Sequence, residues 1–336
     1  TEQITFLRAK KAQVSEQGLS KIMTIFFNLL AIFTIAFAIT NLVVSIGVSL
    51  LGQKLTSVQL KPRKALLWFC VSMPWIMSIL VCLYLLDIYV YSSIFETKQY
   101  AHWHHISDFN WFSWHAVTII LLLSYMMFVL TSKTRQLWLH RQEVSLLTCL
   151  SKNLSRGVYE VEIPKFAAFT SGIRSKKCFI TTGLLNEVTP EELDVILKHE
   201  RAHVVNNDPL KKWLFSILVS FYFAPIARLL TLQMVLAMEQ DADNAVLEEG
   251  IDRIFVASTL IKVAKLNAQE DILKSSALVV NFGADVLEQR IYFLLGRLQL
   301  SPINKTVAFS FAIALFFLCM TSLDGVHHLI ETVFSH

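Results

Sequence analysis

Long apolar runs separated by short charged loops dominate the hydrophobic pattern of this chain. A helix that crosses a bilayer needs about 20 mainly apolar residues. Four segments fit this requirement, at residues 23–51, 65–86, 112–131 and 306–323. We therefore predict an N-terminal membrane region with three transmembrane helices at residues 1–131, and a fourth transmembrane helix with a short outward tail at residues 306–336.

The loops differ in charge, and this difference predicts their orientation. Basic residues accumulate on the cytoplasmic side of membrane proteins. The first loop and the two ends of the segment at residues 132–305 are basic, whereas residues 93–108 and the tail beyond residue 323 are not. The pattern places residues 132–305 in the cytoplasm. One cluster disagrees with this orientation, because it would lie outside: Arg8, Lys10, Lys11 and Lys21. We give more weight to the other three loops, which agree with one another.

The segment at residues 132–305 has the length of one ordinary domain and a mixed pattern. A helical stretch at residues 133–150 precedes two short runs typical of strands, "VYEVEIP" and "KKCFITTGLL". A helix is predicted from Pro190 to about Asn206, because Thr189 and Glu192 form a capping-box pattern around Pro190. Asp208 then has the pattern of an N-cap that starts the next helix.

The predicted helix at residues 190–206 carries the sequence "HERAH", an H-E-x-x-H motif. His199 and His203 are four residues apart, so both imidazoles project from one helix face and can reach one zinc ion. Glu200 lies beside them and can accept a proton from a water that the metal activates. The motif predicts a hydrolytic zinc site.

A catalytic zinc site needs a third protein ligand, and "LAMEQDADNAVLEEG" offers candidates. Glu239 and Asp243 are four residues apart on a predicted helix. One carboxylate could ligate zinc while the other accepts a hydrogen bond from the outer nitrogen of a ligand histidine. An acidic surface patch is the alternative interpretation of the same residues.

The apolar run between these two motifs, at residues 211–235, is not predicted to be a fifth span. A crossing there would place His199 and Glu239 on opposite sides of the membrane. We interpret it as a helix that lies against the inner leaflet or is buried under the domain.

The composition supports a membrane protein and gives no sign of a nucleic-acid partner. Only 17% of the residues are charged, against about 25% in soluble domains. The net charge of +4 gives no indication of direct nucleic-acid binding. The outer loop is rich in histidine, with His102, His104 and His105, and either a metal or pH sensor or an ordinary interfacial loop fits it.

Together these passages resemble the BlaR/MecR-type membrane zinc metallopeptidases, a gluzincin-like family. The resemblance rests on "SGIRSKKCFITTGLL" before the motif helix, on "FYFAPIARLLTLQMVLAMEQDAD", and on "LEQRIYFLL". It implies an α-helical integral membrane protein with a mainly α cytoplasmic metallopeptidase domain of the α+β type with a small sheet. It also implies His199, His203 and Glu239 as Zn²⁺ ligands, Glu200 as general base and Asp243 as an outer-shell acid.

The resemblance stops short of the family's C-terminal penicillin-binding sensor domain, because no S-x-x-K follows residue 323. The expected function is a zinc endopeptidase of the bacterial inner membrane, with its active site facing the cytoplasm, that cleaves a protein in regulated or signalling proteolysis. A housekeeping protease resembling HtpX or the CAAX-type peptidases, and a non-catalytic membrane transducer, are the alternatives. A regulatory membrane or periplasmic partner and a homo-oligomer are left open.

Overall fold

The computed structural model describes residues 2–95, 114–155, 157–173, 175–271, 277–298, 300–302 and 305–334. Two compact units account for the chain. The first comprises Thr1–Ile46, Ser72–Val129 and Asn304–His336, and the second comprises Gly47–Val71 and Leu130–Ile303. The domain boundaries predicted at residues 131 and 305 stay predictions.

Three helices of the described chain are long and apolar enough to cross a membrane. The helices α1 (Glu2–Leu51), α2 (Leu60–Phe95) and α3 (Trp114–Leu150) contain the apolar stretches Gly18–Leu51, Leu60–Val90 and Ala116–Leu150. They coincide with the first three predicted spans. α3 also includes the helical stretch predicted at residues 133–150, so the third predicted span and this stretch form one helix.

The fourth predicted span falls on α10 (Lys305–Phe334). Its described apolar part, Phe309–Ser322, is shorter than a crossing needs, so this span stays a prediction. Within the first unit Phe37 packs edge-on against Trp75 with 4.9 Å between ring centroids. Thr40 Oγ1 lies 3.1 Å from Cys319 Sγ, which joins α1 to α10.

The second unit is built around a four-stranded sheet and the helices that follow it. The strands are β1 (Ser151–Ser155), β2 (Val158–Val161), β3 (Ala168–Ser171) and β4 (Lys177–Thr181). Their order is β1-β2-β4-β3, with β2 and β4 parallel and the other two pairs antiparallel. β3 is therefore an edge strand of this sheet.

Over the part of the chain that the structure describes, six helices follow the sheet in the second unit. They are α4 (Thr182–Glu187), α5 (Pro190–Asn206), α6 (Asp208–Val219), α7 (Ala224–Glu248), α8 (Arg253–Asp271) and α9 (Ala277–Leu294). The run at residues 211–235 is divided between α6 and α7. Among the described residues, neither helix is long and apolar enough to be a span.

The second predicted strand was too long. The sequence pattern extends it to Leu185, whereas β4 ends at Thr181 and α4 follows at once. Thr181 Oγ1 accepts a hydrogen bond from the backbone N–H of Leu184, so Thr181 caps α4 instead of continuing the strand. A side chain at Gly183 would put its Cβ 2.1 Å from Pro164 O, which explains the glycine at this turn.

Helix α5 lies between the sheet and the other helices, and this fixes its orientation. Leu193 and Leu197 pack on Val158, Cys178 and Ile180 of the sheet. Val195, on another face, packs with α7, α8 and α9. Because apolar contacts hold both faces, the polar residues of α5 can face a cavity without loss of the helix's position.

Candidate metal centre

The H-E-x-x-H motif lies on α5, as its capping pattern predicted. Thr189 Oγ1 accepts from the Glu192 backbone N–H, and the Glu192 carboxylate accepts from the Thr189 backbone N–H. The helix runs from Pro190 to Asn206. The rings of His199 and His203 therefore lie one turn apart, with 4.9 Å between their centroids.

Glu239 on α7 completes a group of three ligand atoms. His199 Nε2 lies 3.2 Å from His203 Nε2 and 3.3 Å from Glu239 Oε2. His203 Nε2 lies 3.7 Å from Glu239 Oε1. All ligand atoms of the group fall within 4.8 Å of one another, so one metal ion could contact all three.

The Nδ1 atom of each histidine lies within hydrogen-bond distance of a carboxylate. His199 Nδ1 lies 3.0 Å from Asp243 Oδ1, and His203 Nδ1 lies 2.7 Å from Asp208 Oδ2. When each Nδ1 donates its proton to the carboxylate, both Nε2 lone pairs face the space beside Glu239. Two lone pairs and a carboxylate that converge in this way suit a cation.

Asp208 reaches His203 because of the residue before it. Asn207 has a φ of 58° and ends α5 in the left-handed conformation. This turn brings the first residue of α6 back toward the end of α5. The predicted N-cap role of Asp208 was wrong, since Asp208 is already the first helical residue and its carboxylate is bound to His203.

Two cations contact the carboxylates of Glu239 and Asp243. Arg290 on α9 donates through Nε and Nη2 to the two oxygens of Asp243, at 2.9 and 2.7 Å. Its Nη1 lies 3.3 Å from Glu239 Oε2, and Lys212 Nζ lies 3.5 Å from Glu239 Oε1. Sequence analysis missed Arg290 as a site residue, although it lies in the quoted "LEQRIYFLL" passage.

The pKa values of the two histidines and of Glu239 are shifted in the directions that favour positive charge on the histidines and negative charge on Glu239. Burial alone would lower the pKa of His203, but its contacts with Asp208 and Glu239 raise that pKa to about 9. The pKa of His199 is raised in the same way, against its burial, by Asp243 and Glu239. Burial favours the neutral form of Glu239, yet both histidines and Arg290 hold its pKa well below the usual range.

A cavity of about 520 Å³ surrounds these groups. The carboxylates that line it are Glu200, Asp208, Glu239 and Asp243, and the cations are Lys212 and Arg290. With both histidines neutral, four negative charges against two positive ones leave an excess of two. A divalent cation would neutralise this excess, so the donor set and its charge both fit Zn²⁺.

The structure thus brings together four of the five residues singled out from the sequence, namely His199, His203, Glu239 and Asp243. The fifth, Glu200, is buried and lines the same cavity. The histidines of the predicted outer loop, His102, His104 and His105, lie outside the described residues.

Comparison with known protein families gives a match over part of the chain. The model of Peptidase family M48 matches residues 133–271. The matched segment contains the H-E-x-x-H motif, Glu239 and Asp243, whereas Arg290 lies beyond it. The narrower BlaR/MecR-type resemblance stays a prediction. The match, taken with the three-ligand group that it encloses, supports a metallopeptidase domain of the M48 family at residues 133–271.

Proposed function

We propose that this protein is a membrane-embedded zinc endopeptidase that cleaves a protein substrate. His199, His203 and Glu239 hold the zinc, Glu200 is the general base, and Asp243 orients His199. The observation that carries the proposal is the approach of three ligand atoms to within 4.8 Å, with a carboxylate behind each imidazole.

The residues of the site divide the work of hydrolysis among them. A bound zinc supplies the Lewis acidity that lowers the pKa of water toward about 7. Glu200 follows His199 directly on α5 and lines the cavity, where it accepts the proton of the attacking water and passes it to the leaving amine. Asp208 and Asp243 keep each Nε2 free for the metal.

A polypeptide fits the cavity better than a small molecule does. Strand β3 lines the cavity with all four of its residues, Ala168–Ser171, and it is an edge of the sheet. An extended peptide can pair with the backbone of an edge strand, which gives affinity without a fixed sequence. This arrangement would lay the substrate backbone across the opening toward Glu200.

Regulated or signalling proteolysis is the role that we favour, with the active site on the cytoplasmic side of the bacterial inner membrane. The resemblance to the BlaR/MecR-type family and the basic loops support it. A housekeeping role like that of HtpX or the CAAX-type peptidases would use the same residues. A non-catalytic transducer would need no general base, and Glu200 argues against it.

Glu200→Gln in the producing cell tests the proposal. The variant keeps the shape of the side chain and leaves the zinc ligands unchanged. Its neutral amide, however, cannot act as the base that accepts the proton from water. We expect at least one protein N-terminus, generated by the wild type, to disappear in the variant. Glu191→Gln, an exposed carboxylate on the same helix, serves as the control and should process normally.

The outcome also separates the alternatives. If only a single regulator or a few membrane-proximal proteins lose a cleaved N-terminus, regulated proteolysis is supported. A broad set of misfolded membrane proteins would support the housekeeping role. Identical N-termini in wild type and Glu200→Gln would support the non-catalytic transducer.

A further inference from the structure

The first turn of α2 contacts α7 directly beside the third metal ligand. The side chain of Arg63 donates to Gln240 Oε1, and Lys64 Nζ lies 2.5 Å from Asp241 Oδ2. Gln240 and Asp241 are the two residues after Glu239. These contacts belong to the second unit, which includes residues 47–71.

Gln240 connects this contact to α9. Its side chain is fully buried, and its Nε2 donates to the backbone carbonyl of Gln289 at 3.1 Å. Gln289 directly precedes Arg290, which binds both Asp243 and Glu239. One amide therefore joins the start of α2 to the backbone that carries Arg290.

Asp241 connects the same contact to α5. Its Oδ2 accepts from Lys64 and also from Asn206 Nδ2, at 3.1 Å. Asn206 is the last residue of α5 and lies three residues after His203. The carboxylate therefore bridges the start of α2 and the helix that carries both histidines.

Arg63 and Gln240 are both buried, and this burial constrains how they can be arranged. Arg63 is fully buried, and its hydrogen bonds go to the uncharged oxygens of Gln240 and Thr56. A buried charge that loses a partner is strongly destabilised, so Arg63 and Gln240 must keep their register. Successive residues of a helix point about 100° apart, so a fixed direction for Gln240 and Asp241 also fixes the direction of Glu239.

We propose that Arg63 and Lys64 are positioning residues that set the rotation of α7 about its axis and so place Glu239 at the metal site. They touch neither the metal group nor the cavity, and they act through Gln240 and Asp241. The inference rests on the proposed function only in taking Glu239 as a metal ligand.

A charge exchange in the full-length protein, purified in detergent, tests this role. The variants are Lys64→Asp, Asp241→Lys and the double exchange Lys64→Asp/Asp241→Lys. Lys61→Asp is the matched control, because Lys61 is in the same turn of α2 but is exposed. The readouts are Zn²⁺ affinity from chelator competition and the visible absorption spectrum of the Co²⁺-loaded protein.

We expect each single exchange to weaken Zn²⁺ affinity about tenfold and to alter the Co²⁺ bands, as remote changes in a coupled network do. The double exchange should recover affinity to within about threefold of wild type and restore the spectrum, because the ion pair re-forms with reversed signs. Lys61→Asp should behave as wild type. A merely structural contact would lower protein yield without changing the Co²⁺ spectrum of the folded fraction.

Single exchanges that match Lys61→Asp, or a double exchange no better than the worse single, would overturn the positioning role alone. A wild type that binds neither Zn²⁺ nor Co²⁺ would overturn both this role and the proposed function. Should Lys64→Asp not accumulate, Lys64→Met is measured in its place. It keeps the aliphatic length without the charge, and about a threefold loss of Zn²⁺ affinity is then expected.

Discussion

Asp243 and Asp208 both contact ligand histidines, but only Asp243 could be predicted from the sequence. Asp243 could be predicted as an outer-shell candidate because it follows Glu239 by one helical turn. Asp208 could not, because Asp-Pro at a helix start is the ordinary pattern of an N-cap. Its contact with His203 depends on the left-handed conformation of Asn207, which no pattern in the neighbouring residues indicates.

Asp208→Asn should weaken Zn²⁺ binding by about 10- to 100-fold, the range for loss of a carboxylate behind a metal-bound histidine. The amide keeps the size of the side chain but no longer fixes the tautomer of His203. Chelator competition measures the affinity. Asp194→Asn, an exposed aspartate that pairs with Lys198 on α5, is the control. Equal Zn²⁺ affinities in Asp208→Asn and Asp194→Asn would show that Asp208 does not support metal binding.

The raised pKa of His203 predicts the pH dependence of the metal-stripped protein. Its folded value is about 9, against about 6.5 in an unfolded chain. The stabilisation from protonated His203 is therefore complete below about pH 6.5 and is lost as the pH rises through about 9. The protein in EDTA should melt at a lower temperature at pH 9 than at pH 6.5.

His203→Asn is the comparison for this measurement, since it removes the titrating group from the same position. The variant should lose less stability over that pH range. Zinc-loaded wild type should not show the loss, because metal ligation requires the deprotonated imidazole. The same pH dependence in wild type and His203→Asn under EDTA would refute this reading of the site.

At the scale of elements, local signals predicted α5 and failed for its neighbours. The capping box, the proline and the apolar periodicity of α5 agree, so its predicted bounds are confirmed. The strand β4 was extended too far because Thr182–Leu185 continues an apolar run, and the capping by Thr181 is a polar contact that hydropathy does not register. Arg290 was missed because its partners are 47 or more residues away along the chain.

Thr189→Ala should lower the stability of the second unit by about 1 kcal/mol, through loss of the N-cap of α5. His199 lies more than two turns further along α5, so Zn²⁺ affinity below the melting transition should stay within about twofold of wild type. Thermal unfolding measures the change, and Thr189→Ser, which keeps the hydroxyl, should restore most of it. A Thr189→Ala variant with wild-type melting would show that α5 starts independently of its cap.

At the scale of the molecule, composition and run length predicted the membrane region. Three of the four predicted spans coincide with helices long and apolar enough to cross a bilayer. Two of the proposed ligand residues, His203 and Glu239, are 36 positions apart in the chain. Their meeting depends on the packing of α7 against α5, which no local sequence pattern indicates.

The five native cysteines allow the predicted orientation to be tested by chemical labelling. Cys149 is exposed, whereas Cys178 and Cys319 are buried and Cys70 and Cys82 are partly buried. A membrane-impermeant maleimide should not label Cys149 in intact cells and should label it after permeabilisation. Ala101→Cys, in the predicted outer loop, is the positive control, and Cys149→Ala the negative one. Labelling of Cys149 in intact cells would place the second unit outside.

The zinc content of the purified full-length protein tests the central claim most directly. Elemental analysis should find about one zinc ion per chain in the wild type, in Glu200→Gln and in Glu248→Ala, an exposed glutamate of α7 used as control. Glu239→Ala should lose the metal. Zinc retained at full affinity by Glu239→Ala, or absent from the wild type after reconstitution, would contradict a site built from His199, His203 and Glu239.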